Sequence, residues 1–283
     1  MLMKKYKLKN GVDIPVIGIG TWQITNAEVM LQTINSAYKT GYSMLDTAAA
    51  YGNEIAIAKA IKKLEIPRNE IFLQDKLWNT NRGYVEAQEA CKKSMKKLKT
   101  DYLDAYLIHW PASFQLYDNW KEINAETWRG MEQLYKDGYV RAIGVCNYKV
   151  HHLQALSESA EIMPHIIQME IHPGMEQKEI VNFCLKKDIL VEASSPLGNG
   201  QILENEILAE IAQKYNKTAA QICLRWAIQK GYTVLPKTIR EERMVQNIDI
   251  FDFSLSKEEE NRIDQLPYCG GLGIDADEVT EFG

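Results

Sequence analysis

Four polar residues suited to proton chemistry follow short apolar, strand-like runs: Asp46 and Tyr51 after Tyr42-Ser43-Met44-Leu45, Lys76 after Ile71-Phe72-Leu73, and His109 after Ala105-Tyr106-Leu107-Ile108. If these runs are parallel strands of one sheet, their carboxyl ends open on one face. A phenol, an ammonium, a carboxylate and an imidazole can then converge on a single reacting atom. A tyrosine with an ordinary pKa of about 10 becomes a donor poised nearer neutrality only if its phenolate is favoured by roughly 4 kcal/mol. A lysine charge about 4 Å away contributes on the order of 4 kcal/mol at an effective dielectric near 20, and a carboxylate such as Asp46 would keep that lysine charged and aimed. A lone histidine or a lone Asp–Lys pair is commonly structural; it is the shared placement of all four after strands that points to catalysis.

The elements that must hold them alternate regularly. Lys7-Leu8-Lys9-Asn10-Gly11-Val12-Asp13-Ile14 carries a turn dipeptide between short alternating stretches and predicts a β-hairpin ahead of the main fold. Eight strand-like runs follow, 16–20, 43–47, 71–77, 102–109, 142–146, 166–171, 190–193 and 233–236, each succeeded by a helical pattern. The helices show 3.6-residue apolar stripes, such as Val29, Thr33, Ile34, Ala37 and Tyr38, and several stop at a glycine, as at Gly41, Gly138 and Gly231. Eight such units predict an α/β fold of the closed (β/α)8 type, one domain over residues 1–283. A doubly wound sheet usually carries a phosphate loop in its first strand–helix turn, and Gly18-Ile19-Gly20-Thr21-Trp22 lacks the third glycine of that fingerprint.

Composition narrows the setting. No Pro, Gly or Ser tract divides the 283 residues, and 46% apolar residues suffice for a large core. The basic start, Lys4-Lys5-Tyr6-Lys7, has no apolar segment after it and does not read as a signal peptide, nor does any run approach membrane-spanning length. The expected location is the cytoplasm, with no membrane partner. Five scattered cysteines, Cys91, Cys146, Cys184, Cys223 and Cys269, show neither disulfide nor zinc spacing, so no metal is expected. A net charge of −5 argues against a nucleic-acid partner. The one basic cluster, Lys92, Lys93, Lys96, Lys97 and Lys99, has helical spacing around Cys91, Met95 and Leu98 and reads as a solvated helix face.

The motifs carry a resemblance. Leu45-Asp46-Thr47-Ala48, Tyr51-Gly52-Asn53-Glu54, Lys76-Leu77-Trp78, Leu107-Ile108-His109-Trp110-Pro111, Gly144-Val145-Cys146-Asn147-Tyr148, Gln168-x-Glu170-x-His172-Pro173, Ser195-Pro196-Leu197-Gly198 and Pro236-Lys237-Thr238 match, in order, the motif series of the aldo-keto reductases. The match runs over almost the whole chain, and the length resembles the bacterial branch that includes diketogluconate and methylglyoxal reductases. The resemblance implies NADPH as cofactor and reversible hydride transfer to an aldehyde or ketone. It makes Tyr51 the proton donor, Lys76 the group that lowers its pKa, Asp46 the anchor of Lys76, and His109 the residue that orients the carbonyl.

By the same matching, Asn147 and Gln168 correspond to the holders of the nicotinamide carboxamide, Thr21 and Trp22 to contacts near the ribose, and Ser195, Leu197 and Asn199 to the loop over the pyrophosphate. Lys237, Thr238, Arg243, Gln246 and Asn247 correspond to the grip on the adenosine half, with Lys237 and Arg243 suited to a 2′-phosphate. Two positions depart from the pattern: Cys146 stands where a serine is usual, and Ser194 where an aromatic ring usually lies beneath the nicotinamide. Trp22, Trp78 and Trp110 directly follow strands and, with Tyr51 and His109, are the expected substrate pocket; Phe114, Tyr117 and Trp120 lie in the long loop after the fourth strand. The tail from Tyr268 to Gly283 is expected to form a mobile flap that trims this pocket. The substrate is expected to be a small carbonyl compound and the protein a monomer. Two other readings stay open at this point: a regulatory subunit that holds NADPH and turns over slowly, and a barrel aldolase in which Lys76 forms a Schiff base.

Overall fold

A computed structural model describes residues 4–279; Met1 to Met3, and residues 280–283 of the expected flap, lie outside the described residues. Strands β1 (Lys5–Lys7) and β2 (Asp13–Pro15) pair antiparallel around the Asn10-Gly11 turn, where Gly11 adopts φ +87°. The barrel strands are β3 (Ile19–Gly20), β4 (Met44–Asp46), β5 (Phe72–Leu77), β6 (Ala105–Ile108), β7 (Ile143–Cys146), β8 (Ile166–Glu170), β9 (Leu190–Ser194) and β10 (Thr233–Leu235). All eight lie parallel in sequence order. Ile17 bridges to Val234, and the Gly18 and Gly20 amides donate to the carbonyls of Val234 and Pro236 at 2.9 and 3.1 Å, so the first and last strands meet and the sheet closes.

The helices α1 (Ala27–Thr40), α2 (Glu54–Lys63), α3 (Tyr84–Leu98), α4 (Trp120–Lys136), α5 (Val150–Ser157), α6 (Lys178–Lys186), α7 (Glu206–Tyr215), α8 (Ala219–Gln229), α9 (Glu241–Ile248) and α10 (Lys257–Asp264) are spaced among and after these strands. Their boundaries follow local chemistry. The Asn26 side chain accepts from the Glu28 and Val29 amides at the start of α1, and Gly41, at φ +104°, ends it. The stripe expected on α1 buries Thr33, Ile34 and Ala37, but Tyr38 lies at its edge, exposed, with its hydroxyl on Glu70. In α3 the residues Cys91, Met95 and Leu98 are buried and most of the lysines face outward, while Lys97 pairs with the buried Glu54. No helix among the described residues is long and apolar enough to cross a membrane.

Two apolar clusters share the packing. The larger joins the outer face of the sheet to the helices; the smaller fills the base of the barrel with Met44, Phe72, Ala105, Leu107, Ala142, Ile166 and Leu235, and the hairpin residues Leu8 and Ile14 plug it from below. Gly144 is required there. A Cβ at this position would lie 2.4 Å from the Ile166 carbonyl oxygen and 2.6 Å from Leu107 Cδ2. Side chains alternate in and out along a strand, so the face that carries Phe72 at the base also carries Gln74 and Lys76 above it. The barrel is thus apolar at its base and polar toward its mouth.

Asp75 takes the opposite face of β5 and is wholly buried; its Oδ1 accepts from the Lys76 amide at 2.8 Å, while Oδ2 has no partner. Burial, reinforced by Glu54, pushes its carboxyl up to about 7. The folded value lies above the unfolded one, so the folded state binds the extra proton between about pH 4 and pH 7 and stability falls as pH rises through that window. Asp75→Asn is therefore expected to be more stable than the parent above pH 7, by on the order of 3 kcal/mol, with the gap closing toward pH 4. Thermal unfolding across pH checks this; parallel curves for the two proteins would refute it.

Candidate active site

The carboxyl ends of the strands open into a cleft of about 970 Å³. Asp46 ends β4, and the next residues turn through Ala49–Tyr51 so that Tyr51 stands at the cleft; Gly52 at φ +66° closes that turn. Asn53 fixes the loop from within, accepting from the Thr47 hydroxyl at 2.7 Å and donating to the Thr21 carbonyl at 2.9 Å. Lys76 comes up from β5, fully buried. Its ammonium donates to Asp46 Oδ1 at 2.7 Å, to Asp46 Oδ2 at 2.8 Å and to the Thr47 carbonyl at 2.9 Å, so all three protons have acceptors. Burial alone would lower its pKa, but Asp46 outweighs that and holds the ammonium above its ordinary value. A Schiff-base lysine must be neutral and reach its substrate. Lys76 is charged, enclosed and absent from the cleft wall, which disfavours the aldolase reading.

The structure corrects one expectation about Tyr51. Its phenol is not drawn down toward neutrality: burial pushes it up to about 12, Lys76 works in the lowering direction, and Asp46 raises it again. The main cause is burial of the phenol; Lys76 opposes it, and Asp46 cancels part of that opposition. Tyr51 is therefore protonated throughout the neutral range, the form a proton donor needs. His109 stacks edge-on against Tyr51 and Trp78, with ring centroids 5.8 and 5.2 Å away. Burial, and then Lys76, lower its pKa well below the ordinary value, so the ring is neutral, and its Nδ1 has no partner.

Asn147 follows β7 in the left-handed region at φ +61°, a conformation asparagine adopts more readily than most residues with a side chain. Its Nδ2 donates to the His109 carbonyl at 2.9 Å. Both Nε2 protons of Gln168 are taken, by Asp46 at 3.1 Å and Glu192 at 3.0 Å. Gln168 therefore offers an acceptor oxygen and no free donor to whatever binds, while Asn147 offers its oxygen and its second Nδ2 proton. Ser194, Ser195, Leu197 and Asn199 line the opposite wall, where Ser195 and Asn199 have positive φ, and Lys237 and Arg243 are exposed at the rim with no ion-pair partner among the described residues.

Other expected residues are placed elsewhere. Thr21 is buried, its hydroxyl on the Asp46 carbonyl at 2.9 Å; Cys146 is buried inside the barrel; Thr238 and Asn247 are buried and Gln246 is exposed, all of them off the cleft wall. Of the aromatics, Trp22, Trp78 and Trp110 line the cleft and Phe114, Tyr117 and Trp120 do not. Tyr117 lies against the Arg82 guanidinium, and Trp120 opens α4 with its ring edge-on to His151 and His152. The loop has its own packing to satisfy, which a count of nearby rings does not reveal.

The cleft also has a wall formed by Lys149, Glu170 and Met175, to which the sequence reading gave no role, and by the segment from Leu272 to Ala276, part of the tail expected to trim the pocket. That segment is tied down at two places. Glu170 accepts from the consecutive amides of Leu272 and Gly273 at 2.7 and 2.8 Å, and a Cβ at Gly271 would come within 2.4 Å of the same carboxylate. Burial raises the Glu170 carboxyl, but His172 and the two amides outweigh it and hold its pKa below the ordinary value. Lys149 reaches Asp275 at 2.5 Å and Asp277 at 2.8 Å.

Comparison with known proteins agrees with this geometry. The model of the aldo/keto reductase family matches residues 16–267. The chain is 45% identical over 273 residues to the glyoxal reductase of Bacillus subtilis, and 39% identical over 274 residues to the methylglyoxal reductase DkgA of Escherichia coli, with 96% of each chain covered in both cases. A solved mutant of Gox0644 in complex with NADPH superposes with a TM-score of 0.91 at 33% identity, covering 100% of both chains. The protein belongs to the aldo/keto reductase family.

Each charge-assisted hydrogen bond to Glu170 is worth roughly 1.5–3 kcal/mol. Glu170→Gln is therefore expected to speed hydrogen exchange at the Leu272 and Gly273 amides by at least about tenfold while leaving β8 protected. Unchanged exchange at these two amides would show that the segment is held by other contacts.

Proposed function

We propose that the protein is an NADPH-dependent reductase of small aldehydes and ketones, dicarbonyls among them. The observation that carries this reading is the convergence, at the mouth of one barrel, of a protonated Tyr51 and a neutral His109 above a buried Lys76–Asp46 pair. The residues present suit the cofactor. The acceptor oxygens left on Asn147 and Gln168 complement the N–H groups of a carboxamide, and the unpaired Lys237 and Arg243 complement a 2′-phosphate. When bound, the reduced nicotinamide supplies the hydride.

The chain's own part is the proton and the charge. Tyr51 gives its proton to the carbonyl oxygen as negative charge grows there, and Lys76, 5.2 Å from the centre of the Tyr51 ring, limits the cost of the phenolate that remains. His109, kept neutral, supports the same oxygen without adding a second cation beside Lys76. Trp22, Trp78 and Trp110 supply an apolar wall that excludes water from the reacting oxygen. The relatives named as glyoxal and methylglyoxal reductases support small carbonyl substrates. We further read the chain as one domain acting as a cytoplasmic monomer, on the closed single barrel and the net charge of −5; sedimentation tests the monomer.

Tyr51→Phe is expected to lower the rate of carbonyl reduction by at least about a thousandfold, because the neutral His109 imidazole is too weak an acid to replace the phenol, while NADPH affinity changes little. Retained turnover in a screen against glyoxal, methylglyoxal and aromatic aldehydes would remove Tyr51 from the donor role. Replacing both Lys237 and Arg243 by alanine is expected to bring NADPH affinity down to that of NADH, since each charge-assisted contact contributes roughly 1.5–3 kcal/mol. Strong discrimination left in the double variant would mean that the 2′-phosphate is read by other residues.

A further inference from the structure

Glu192, on β9, is wholly buried inside the barrel, two residues before Ser194 on the cleft wall. Its Oε2 accepts from Gln74 Nε2 at 2.7 Å and from Gln168 Nε2 at 3.0 Å. The same two nitrogens donate to Asp46 Oδ1 at 2.9 and 3.1 Å. An amide nitrogen has two protons, so both glutamine nitrogens are fully committed, and the four side chains close a ring of hydrogen bonds. Two carboxyl groups thus share two amide bridges while the ammonium of Lys76 contacts only one of them, Asp46. The other Glu192 oxygen, Oε1, is buried without a partner.

Such a site is finely balanced. Burial raises the Glu192 carboxyl, the Gln168 bond opposes, Asp46 raises it further, and the Gln74 bond and Lys76 oppose, leaving it at about 7. The groups that face it are Asp46 from β4, Lys76 and the uncharged Gln74 from β5, the Cys146 thiol from β7, Gln168 from β8 and Thr233, its register partner, from β10. Burial pushes Cys146 well above its ordinary value and Asp46 holds Lys76 charged, so neither changes state near neutrality.

Building on the cofactor reading above, we propose that Glu192 is a titratable positioning residue: through Gln74 and Gln168 it fixes the Asp46 carboxylate that holds Lys76, and its ionisation adds a negative charge behind the site that favours the cationic, oxidised nicotinamide over the neutral, reduced one. The two cofactor forms differ by one positive charge at the nicotinamide. A single buried charge that appears as pH rises therefore acts on their affinities unequally. The 2′-phosphate titrates in both forms and cancels in the ratio.

The test is direct titration of NADP+ and of NADPH against the purified protein from about pH 6 to about pH 8.5, by protein fluorescence or calorimetry. For the parent protein, the ratio of the dissociation constant of NADP+ to that of NADPH is expected to fall about three- to tenfold across this range. Glu192→Gln keeps an acceptor for both bridging amides and cannot ionise, so its ratio is expected to be flat and to match the parent's low-pH value. Gln74→Leu removes one bond that favours the ionised carboxyl and is expected to move the transition to higher pH. A structural role alone would shift both affinities together and leave the pH dependence of the ratio intact in Glu192→Gln, which overturns the proposal, as does a flat ratio in the parent. Failure of the parent to bind either form would overturn the cofactor reading instead.

Discussion

The buried ion pair between Lys76 and Asp46 is the interaction on which the rest of the site depends. An ammonium taken out of water inside a closed barrel is tolerated only with its charge balanced and every proton accepted, and the two carboxylate oxygens with the Thr47 carbonyl meet that condition. The pair then sets the states of its neighbours. Burial governs Tyr51 and keeps it a phenol, with Asp46 cancelling part of the opposing effect of Lys76; the lysine charge, added to burial, keeps His109 neutral. Two uncharged groups with mobile protons beside one fixed cation are a workable arrangement for donating a proton to an oxygen that is gaining negative charge.

The pair in turn rests on the polar upper layer of the barrel. Gln74, Gln168 and Glu192 surround Asp46 with hydrogen bonds that a purely apolar interior would not provide. The arrangement carries more carboxyl groups than cations, and the surplus is absorbed by protonation: burial raises Glu192 inside the barrel and Asp75 behind the sheet, both to about 7. The apolar base, closed below by Leu8 and Ile14 of the hairpin, supplies the rigid packing against which this layer is held.

Glu170 and Lys149 give the mouth a fourth side. Both emerge from strand ends already dedicated to the site, Glu170 at the end of β8 and Lys149 just after Asn147, and both reach to the C-terminal segment. The segment from Leu272 to Ala276 is fixed by charged side chains, Glu170 on two backbone amides and Lys149 on Asp275, so the shape of the pocket is coupled to groups that also border Asn147 and Gln168.

Much of this was legible in the residues alone. Apolar runs of regular spacing determined eight strands, and turn glycines such as Gly11 and Gly41 marked where elements end, because period and backbone freedom are local properties. The placement of Asp46, Tyr51, Lys76 and His109 at or just beyond the carboxyl ends of strands followed from the same pattern, since parallel strands put those ends on one face. Lys76 and Gln74 inside an otherwise apolar run were a sign of a polar interior. What only the tertiary structure decided were properties that depend on distance and on exclusion of water. These include the direction of the Tyr51 shift, the committed donors of Gln168, the bond from Asn147 to the His109 carbonyl, the ring through Glu192, the withdrawal of Cys146 and Thr21 from the cleft, and the packing of Tyr117 and Trp120 away from it. Each joins residues far apart in the chain, from β4 to β9 or from α4 to α5, and the energy of a buried charge is set by what closes around it in three dimensions, which spacing along the chain does not encode.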